Sequence, residues 1–116
     1  MNRAVAEAAG RTAERRAAWL LRLKGYRILA LRARGSAGEI DIVARRGKTV
    51  AFVEVKHRST IEQAAEAISG HRLNRVVRAA VQLAPRFASN GEDTRIDAIL
   101  MARGKWPRHL TNIWHG

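Results

Sequence analysis

The chain has 116 residues, which suits one domain around one core, and its 22 Lys and Arg, 18 of them Arg, stand against 10 Asp and Glu for a formal charge of +12. With 47% hydrophobic residues it can still fold, so the excess of planar, phosphate-binding guanidinium groups points first to nucleic acid and second to an anionic surface, with an arginine-rich genomic composition as the plain alternative. The absence of cysteine excludes disulfide scaffolds, thiolate zinc sites and thiol catalysis; no apolar leader or uncharged run near the roughly 18 residues of a membrane span is present, so the expectation is a cytoplasmic protein with no membrane partner.

The spacing of Val5, Ala9, Ala13, Ala17, Leu20 and Leu21 predicts an amphipathic helix over 3–24, ended by Gly25. On its wheel Arg11, Arg15 and Arg22 lie opposite the apolar arc, and Glu14 lies at the border of that arc beside Gly10 and Leu21. Residues 26–31 read as a first strand, with 34–38 as the loop after it. Two further strands are expected at 39–44 and 49–57, joined by a turn over 45–48. A short helix over 61–68 comes next. Leu73, Val76, Val77, Ala80 and Ala84 then predict a longer helix that Pro85 either interrupts or brings to the end of its regular part. Residues 95–101 read as a fourth strand, 102–107 as a loop and 110–114 as a last strand. The α-β-β-β-α-β order is that of an α/β domain, one sheet covered by helices.

The informative segment is Gly38-Glu39-Ile40-Asp41, followed by Glu54-Val55-Lys56. Side chains alternate along a strand, so Glu39 shares a face with Asp41, and Glu54 with Lys56. A turn with an even number of residues, centred on Arg46-Gly47, brings both pairs to the same face, with Glu39 opposite Glu54 and Asp41 one diagonal away. The same register gathers Ile40, Ile42, Ala44, Ala51, Val53 and Val55 on one apolar face. Three neighbouring carboxylates repel one another, and Lys56 neutralises only one. A divalent cation resolves the conflict, and Mg²⁺ (or Mn²⁺) suits oxygen ligands completed by water and a substrate phosphate. A cation beside a lysine suits phosphodiester cleavage, since bound water ionises more readily and charge on the phosphate is neutralised. The competing reading is a solvated sheet face with a cross-strand Glu–Lys pair.

The segments Gly38-Glu39-Ile40-Asp41-Ile42-Val43-Ala44 and Phe52-Val53-Glu54-Val55-Lys56-His57-Arg58 resemble the signature of the YraN family, which is similar to archaeal Holliday-junction resolvases and to PD-(D/E)xK nucleases. The resemblance extends to Gly10 and Glu14, to Gly25-Tyr26 with Ile28-Leu29, and to Arg95-Ile96-Asp97. It implies a single restriction-endonuclease-like domain over 1–116, a central mixed sheet flanked by helices, and hydrolysis of DNA, branched DNA included. It further implies Asp41 and Glu54 as metal ligands, Lys56 as the catalytic lysine and Glu14 as the helix glutamate that completes the site. Glu39 is left as an outer ligand or a surface acid. Ile40 stands where the nuclease motif has proline, as is usual in the YraN family, and His71 stands where that family often has lysine. Resemblance to the resolvases also implies a homodimer.

Arg34, Arg45, Arg46, Lys48, Arg58, Arg72, Arg75 and Arg78 are the candidate contacts to a nucleic-acid backbone, each with a solvated surface residue as its alternative. Trp19, Trp106 and Trp114 read first as core or interface anchors and second as base-stacking platforms. Asp97 reads as the support of a local network. Two further functions stay open: a nucleic-acid-binding module of the same fold without catalysis, and a basic protein that binds an acidic partner or anionic lipid.

Overall fold

Residues 42–44 and 50–53 are apolar at every position, so both faces of these strands need cover. The computed structural model, which describes residues 3–115, supplies it. The elements are α1 (Arg3–Leu23), β1 (Arg27–Gly35), β2 (Gly38–Arg46), β3 (Thr49–Arg58), α2 (Ile61–Glu66), α3 (His71–Phe87), β4 (Asp93–Ala102) and β5 (Arg108–Leu110). They form one sheet in the order β1-β2-β3-β4-β5, parallel between β3 and β4 and antiparallel elsewhere. Parallel neighbours need a crossover, and α2 with α3 provides it. The result is an α/β fold with a five-stranded mixed sheet flanked by helices, an arrangement compatible with a restriction-endonuclease-like core. Among the described residues no helix is long and apolar enough to cross a membrane.

Strand alternation divides the core. Ala13, Ala17 and Leu21 of α1 pack on Ile42, Ala44, Ala51 and Val53; the small side chains let the helix lie close to the sheet. On the other face Val76, Ala79 and Leu83 of α3 cover Val43, Val50, Phe52 and Ile96. Ala64 of α2 extends that layer over Ala98 and Leu100.

Two expectations change and a third is narrowed. The loop expected over 34–38 shrinks to Ser36 and Ala37, because Gln82 of α3 pins it: its Oε1 accepts the Ala37 N–H at 2.9 Å and its amide donates to Ser36 Oγ. Pro85 does not interrupt α3 but lies in its last turn, two residues before it ends at Phe87, which agrees with the alternative that it closes the regular part of the helix. The last strand is Arg108–Leu110 instead of 110–114, since Asn112 turns left-handed at φ +55° and gives its N–H to Asp97 at 2.9 Å.

Asp97 does support a network. It is fully buried on β4, and Arg95 grips both its oxygens at 2.8 Å. His109 of β5 lies 2.9 Å from Oδ2 through Nε2, while Lys24 Nζ donates to the other ring nitrogen. Arg95 also donates to Tyr26 Oη at 2.6 Å. One carboxylate thereby joins the end of α1, the inner strand β4 and the edge strand β5. Burial alone would raise its pKa, but the His109, Arg95 and Asn112 hydrogen bonds outweigh it and hold the group at about 2, against 3.8 ordinarily.

A carboxylate with a lowered pKa stabilises the fold above its unfolded value and ceases to as pH falls through the folded one. Urea denaturation between pH 6 and 2 is therefore expected to lose about 2 kcal/mol on Asp97's account, mostly below pH 4. Asp97→Asn is expected to flatten that limb and to cost about 3 kcal/mol at pH 7, because Arg95 is left without its charge partner.

Candidate active site

The site begins with a turn. Arg46 pairs with Thr49, leaving Gly47 and Lys48 as a two-residue loop, and Gly47 at φ +62° takes the first central position as a type II′ turn requires. The turn lies one residue later than the sequence suggests, which moves the register by two. Continued beyond the Ile42–Val53 pair, it sets Asp41, and not Glu39, opposite Glu54. The loop length is still even, so the acidic ends of both strands still meet.

Beyond Ile42–Val53 the strands part. Asp41 Oδ2 takes the Val55 N–H at 2.8 Å, a side-chain bond in place of a ladder bond. Ile40 joins the core under α3, whereas Ile42 lies in the core under α1, so the single apolar face expected from Ile40 to Val55 is broken at Asp41. Across β1, between the pairs Leu31–Ile42 and Ala33–Ile40, lies Arg32, a non-glycine residue at φ +55°. The acids consequently do not share one face. Asp41 opens into a groove of about 360 Å³ beneath α1, with Glu14, His57 and Arg58. Glu39 and Glu54 line a groove of about 270 Å³ beside α3, with Arg72 and Arg75. Lys56 lines both and stands at their junction.

Across that junction the Asp41 carboxyl lies close enough to Glu54 to influence its ionisation. Burial raises the Glu54 pKa first, and the neighbouring Asp41 raises it further; Lys56 opposes them, and the group comes to about 9. At neutral pH, with no cation bound, Glu54 therefore keeps its proton. Glu14 is not free either: its Oε2 accepts from Arg32 Nε at 2.8 Å. That bond, with the charges of Glu14, Glu39 and Asp41, holds the Arg32 proton more firmly than usual. Arg32 is the site residue that sequence reasoning misses. It is one of 18 arginines, and nothing in its neighbours announces a left-handed backbone inside a strand.

A partly buried carboxyl with a raised pKa beside a second acid is the kind of place where a divalent cation can take the position of the proton. Among the described residues no three or more His, Asp or Glu side chains gather into a metal cage, and Glu39 is tied to Arg34 at 3.2 Å. The candidate donors are Asp41 and Glu54. One or two carboxylates, with water and phosphate in the remaining positions, are what Mg²⁺ usually takes from a protein.

The basic candidates separate. Arg58, Arg72 and Arg75 line the two grooves, and Arg78 lies one helical turn beyond Arg75. Arg34 stands at the β1–β2 hairpin beside Glu39. Arg45, Arg46 and Lys48 sit at the far end of β2 and β3, about 15 Å along the strand from Asp41. There Arg45 faces Glu92 at 3.9 Å, and Arg46 stacks 4.7 Å over Tyr26 while donating to the Lys24 carbonyl. None of the three tryptophans is a core residue: Trp19, Trp106 and Trp114 are 63%, 92% and 41% exposed.

The raised Glu54 pKa carries a stability signature of opposite sign to that of Asp97. An unfolded chain releases this proton near 4.5 and the cation-free fold keeps it to about 9, so stability falls as pH rises between those values. In EDTA, Glu54→Gln is expected to melt at least about 4 °C above wild type at pH 8 and close to it at pH 5. Mn²⁺ is expected to stabilise wild type more at pH 8 than at pH 6, because binding displaces the proton.

Comparison with known proteins places the chain. It is 56% identical over 114 residues to a UPF0102 protein of Sphingopyxis alaskensis, covering 98% of each chain. It is 54% identical over 114 residues to a UPF0102 protein of Erythrobacter litoralis, again 98% of each, and 52% identical over 114 residues to one of Rhizorhabdus wittichii, 98% of this chain and 97% of that one. The model of the family described as "Uncharacterised protein family UPF0102" matches residues 13–101, a span that contains Glu14, Asp41, Glu54 and Lys56. The chain belongs to the UPF0102 family, the YraN-like group that its motifs resemble.

Proposed function

We propose that this protein is a divalent-cation-dependent nuclease of the PD-(D/E)xK type that hydrolyses phosphodiester bonds in DNA. The observation that carries the reading is the meeting of two adjoining grooves at Lys56, with Asp41 lining one, Glu54 lining the other and arginines lining both. A solvated face with a Glu–Lys pair would leave Glu54 ionised in water. Instead its carboxyl is partly buried beside a second acid, and the charge of Lys56 does not offset this, an arrangement that costs stability and fits a site for a ligand.

In this reading Asp41 and Glu54 hold Mg²⁺ or Mn²⁺, which when bound acidifies water and neutralises phosphate charge. Lys56 lines both grooves and is placed to meet the scissile phosphate from either, stabilising charge on its oxygens or orienting the attacking water. Asp41 lines the groove beneath α1 and is held there by the Val55 N–H. Glu14 sits across the same groove from Asp41 as a second acceptor for water, and Arg32 holds it there. Arg58, Arg72 and Arg75 meet the phosphates either side of the cut. A homodimer, which would cut two strands symmetrically, is part of the same proposal.

The test is cleavage of linear, branched and single-stranded DNA, and of RNA, with Mg²⁺ or Mn²⁺. Asp41→Asn and Lys56→Ala are each expected to lower the rate by about 100-fold or more. If neither cation gives cleavage above the double variant, the enzyme reading is wrong. Salt-dependent DNA binding would then identify a binding module, and its absence at low salt a protein with an acidic partner.

A further inference from the structure

Trp114 stands where the chain leaves the sheet. Asn112, at φ +55°, gives its N–H to buried Asp97 at 2.9 Å, and Ile113 gives the next N–H to the Ile96 carbonyl at 2.8 Å. Two bonds to β4 thus fix the backbone directly before Trp114. Its ring, 41% exposed, forms one wall of an open groove of about 480 Å³ along the N-terminal half of α3. His71, Asn74, Arg75, Val77 and Arg78 form the rest. Every charged or titratable group of that lining is basic. Arg75 also lines the groove that contains Glu54 and Lys56, so the two hollows adjoin through one side chain.

An aromatic face flanked by guanidinium groups offers a nucleic-acid strand both of its recognition elements, a surface for the base and partners for the phosphates. A base inside continuous duplex has both faces covered by its neighbours, and must be unstacked to reach a protein ring. A base in a single strand or at a branch has a face free. An anionic bilayer takes up a protruding apolar face, whereas Trp114 is set in the wall of a concave groove.

We propose that this groove stacks an unpaired base on Trp114, with Arg75 and Arg78 on the adjoining phosphates, so that the neighbouring site receives strands with an unpaired segment in preference to continuous duplex. The inference rests on the nucleic-acid part of the reading above, and its binding test does not depend on cleavage.

Fluorescence anisotropy in EDTA, with labelled oligothymidylate and a blunt duplex of the same length, tests it. Trp114→Ala is expected to weaken oligothymidylate binding about 10-fold and to leave the duplex within about twofold, with Trp114→Phe retaining most of the affinity. Arg78→Ala is expected to lower the salt slope of oligothymidylate binding by about 1. Trp106→Ala, whose ring is 92% exposed outside this groove, is expected to change neither probe. Equal loss on both probes from Trp114→Ala, no loss on oligothymidylate, or an equal selective loss from Trp106→Ala overturns the proposal. So does loss of binding to phosphatidylserine vesicles with oligothymidylate binding intact. A readout that keeps the ring is the fluorescence of Trp114 in the Trp19→Phe, Trp106→Phe double variant. Quenching by oligothymidylate and not by duplex is expected, and absence of quenching overturns the proposal. If cleavage is never seen but this binding pattern holds, the nuclease reading falls and this one stands; cleavage of unpaired strands that ignores Trp114 does the reverse.

Discussion

The two-residue turn at Gly47 and Lys48 is the constraint on which the rest depends. Because side chains alternate with a period of two, an even turn is the condition for Asp41 and Glu54 to arrive opposite each other. A slip by one residue would move Val43 and Phe52 to the wrong layer as well, so the apolar core under α3 enforces the register that the acids need. β3 is also the strand on which the sheet changes from antiparallel to parallel pairing. Strands on both sides and helices on both faces exclude water from its middle, and Glu54, just past the last β2 pair, stands at the border of that region, partly buried and beside Asp41.

Asp97 shows the other fate of an acid in the same place. It pairs with Val53, the neighbour of Glu54, on the parallel strand. Around Asp97 the chain supplies a guanidinium, an imidazole and a backbone N–H, and the carboxylate ionises at about 2. Around Glu54 it supplies another acid and one lysine, and the carboxyl keeps its proton to about 9. Burial is common to both. What separates a structural acid from a candidate ligand is whether the protein itself provides the countercharge.

Much of this was legible in the residues. Alternation identified both hairpin strands and, through the parity of the turn, the meeting of the acids; helical spacing identified α1 and α3. The sequence was blind to the parting of β2 and β3, because that depends on Asp41 bonding to Val55 N–H fourteen residues on. It was equally blind to Arg32, whose left-handed backbone has no local cause in Leu31 or Ala33. The basic residues were legible as a set but not as positions: the fold sets Arg45 beside Glu92 and Arg46 over Tyr26, at the end of the hairpin away from Asp41. Trp114 looked like an anchor because an isolated tryptophan usually is one; its exposure follows from the turn at Asn112, which exists because Asp97 attracts that N–H.

The two margins of the sheet bear on how copies of the molecule meet. An edge strand offers unpaired backbone groups to any passing strand, and long, flat, uncharged edges aggregate. β1 carries exposed Arg27, Arg32 and Arg34 and a register shift between Ile28 and Ala30, while β5 is three residues long. Like charges and irregular backbone on one side and brevity on the other oppose growth of the sheet by strand addition. Two copies that associate would then meet through helices or loops.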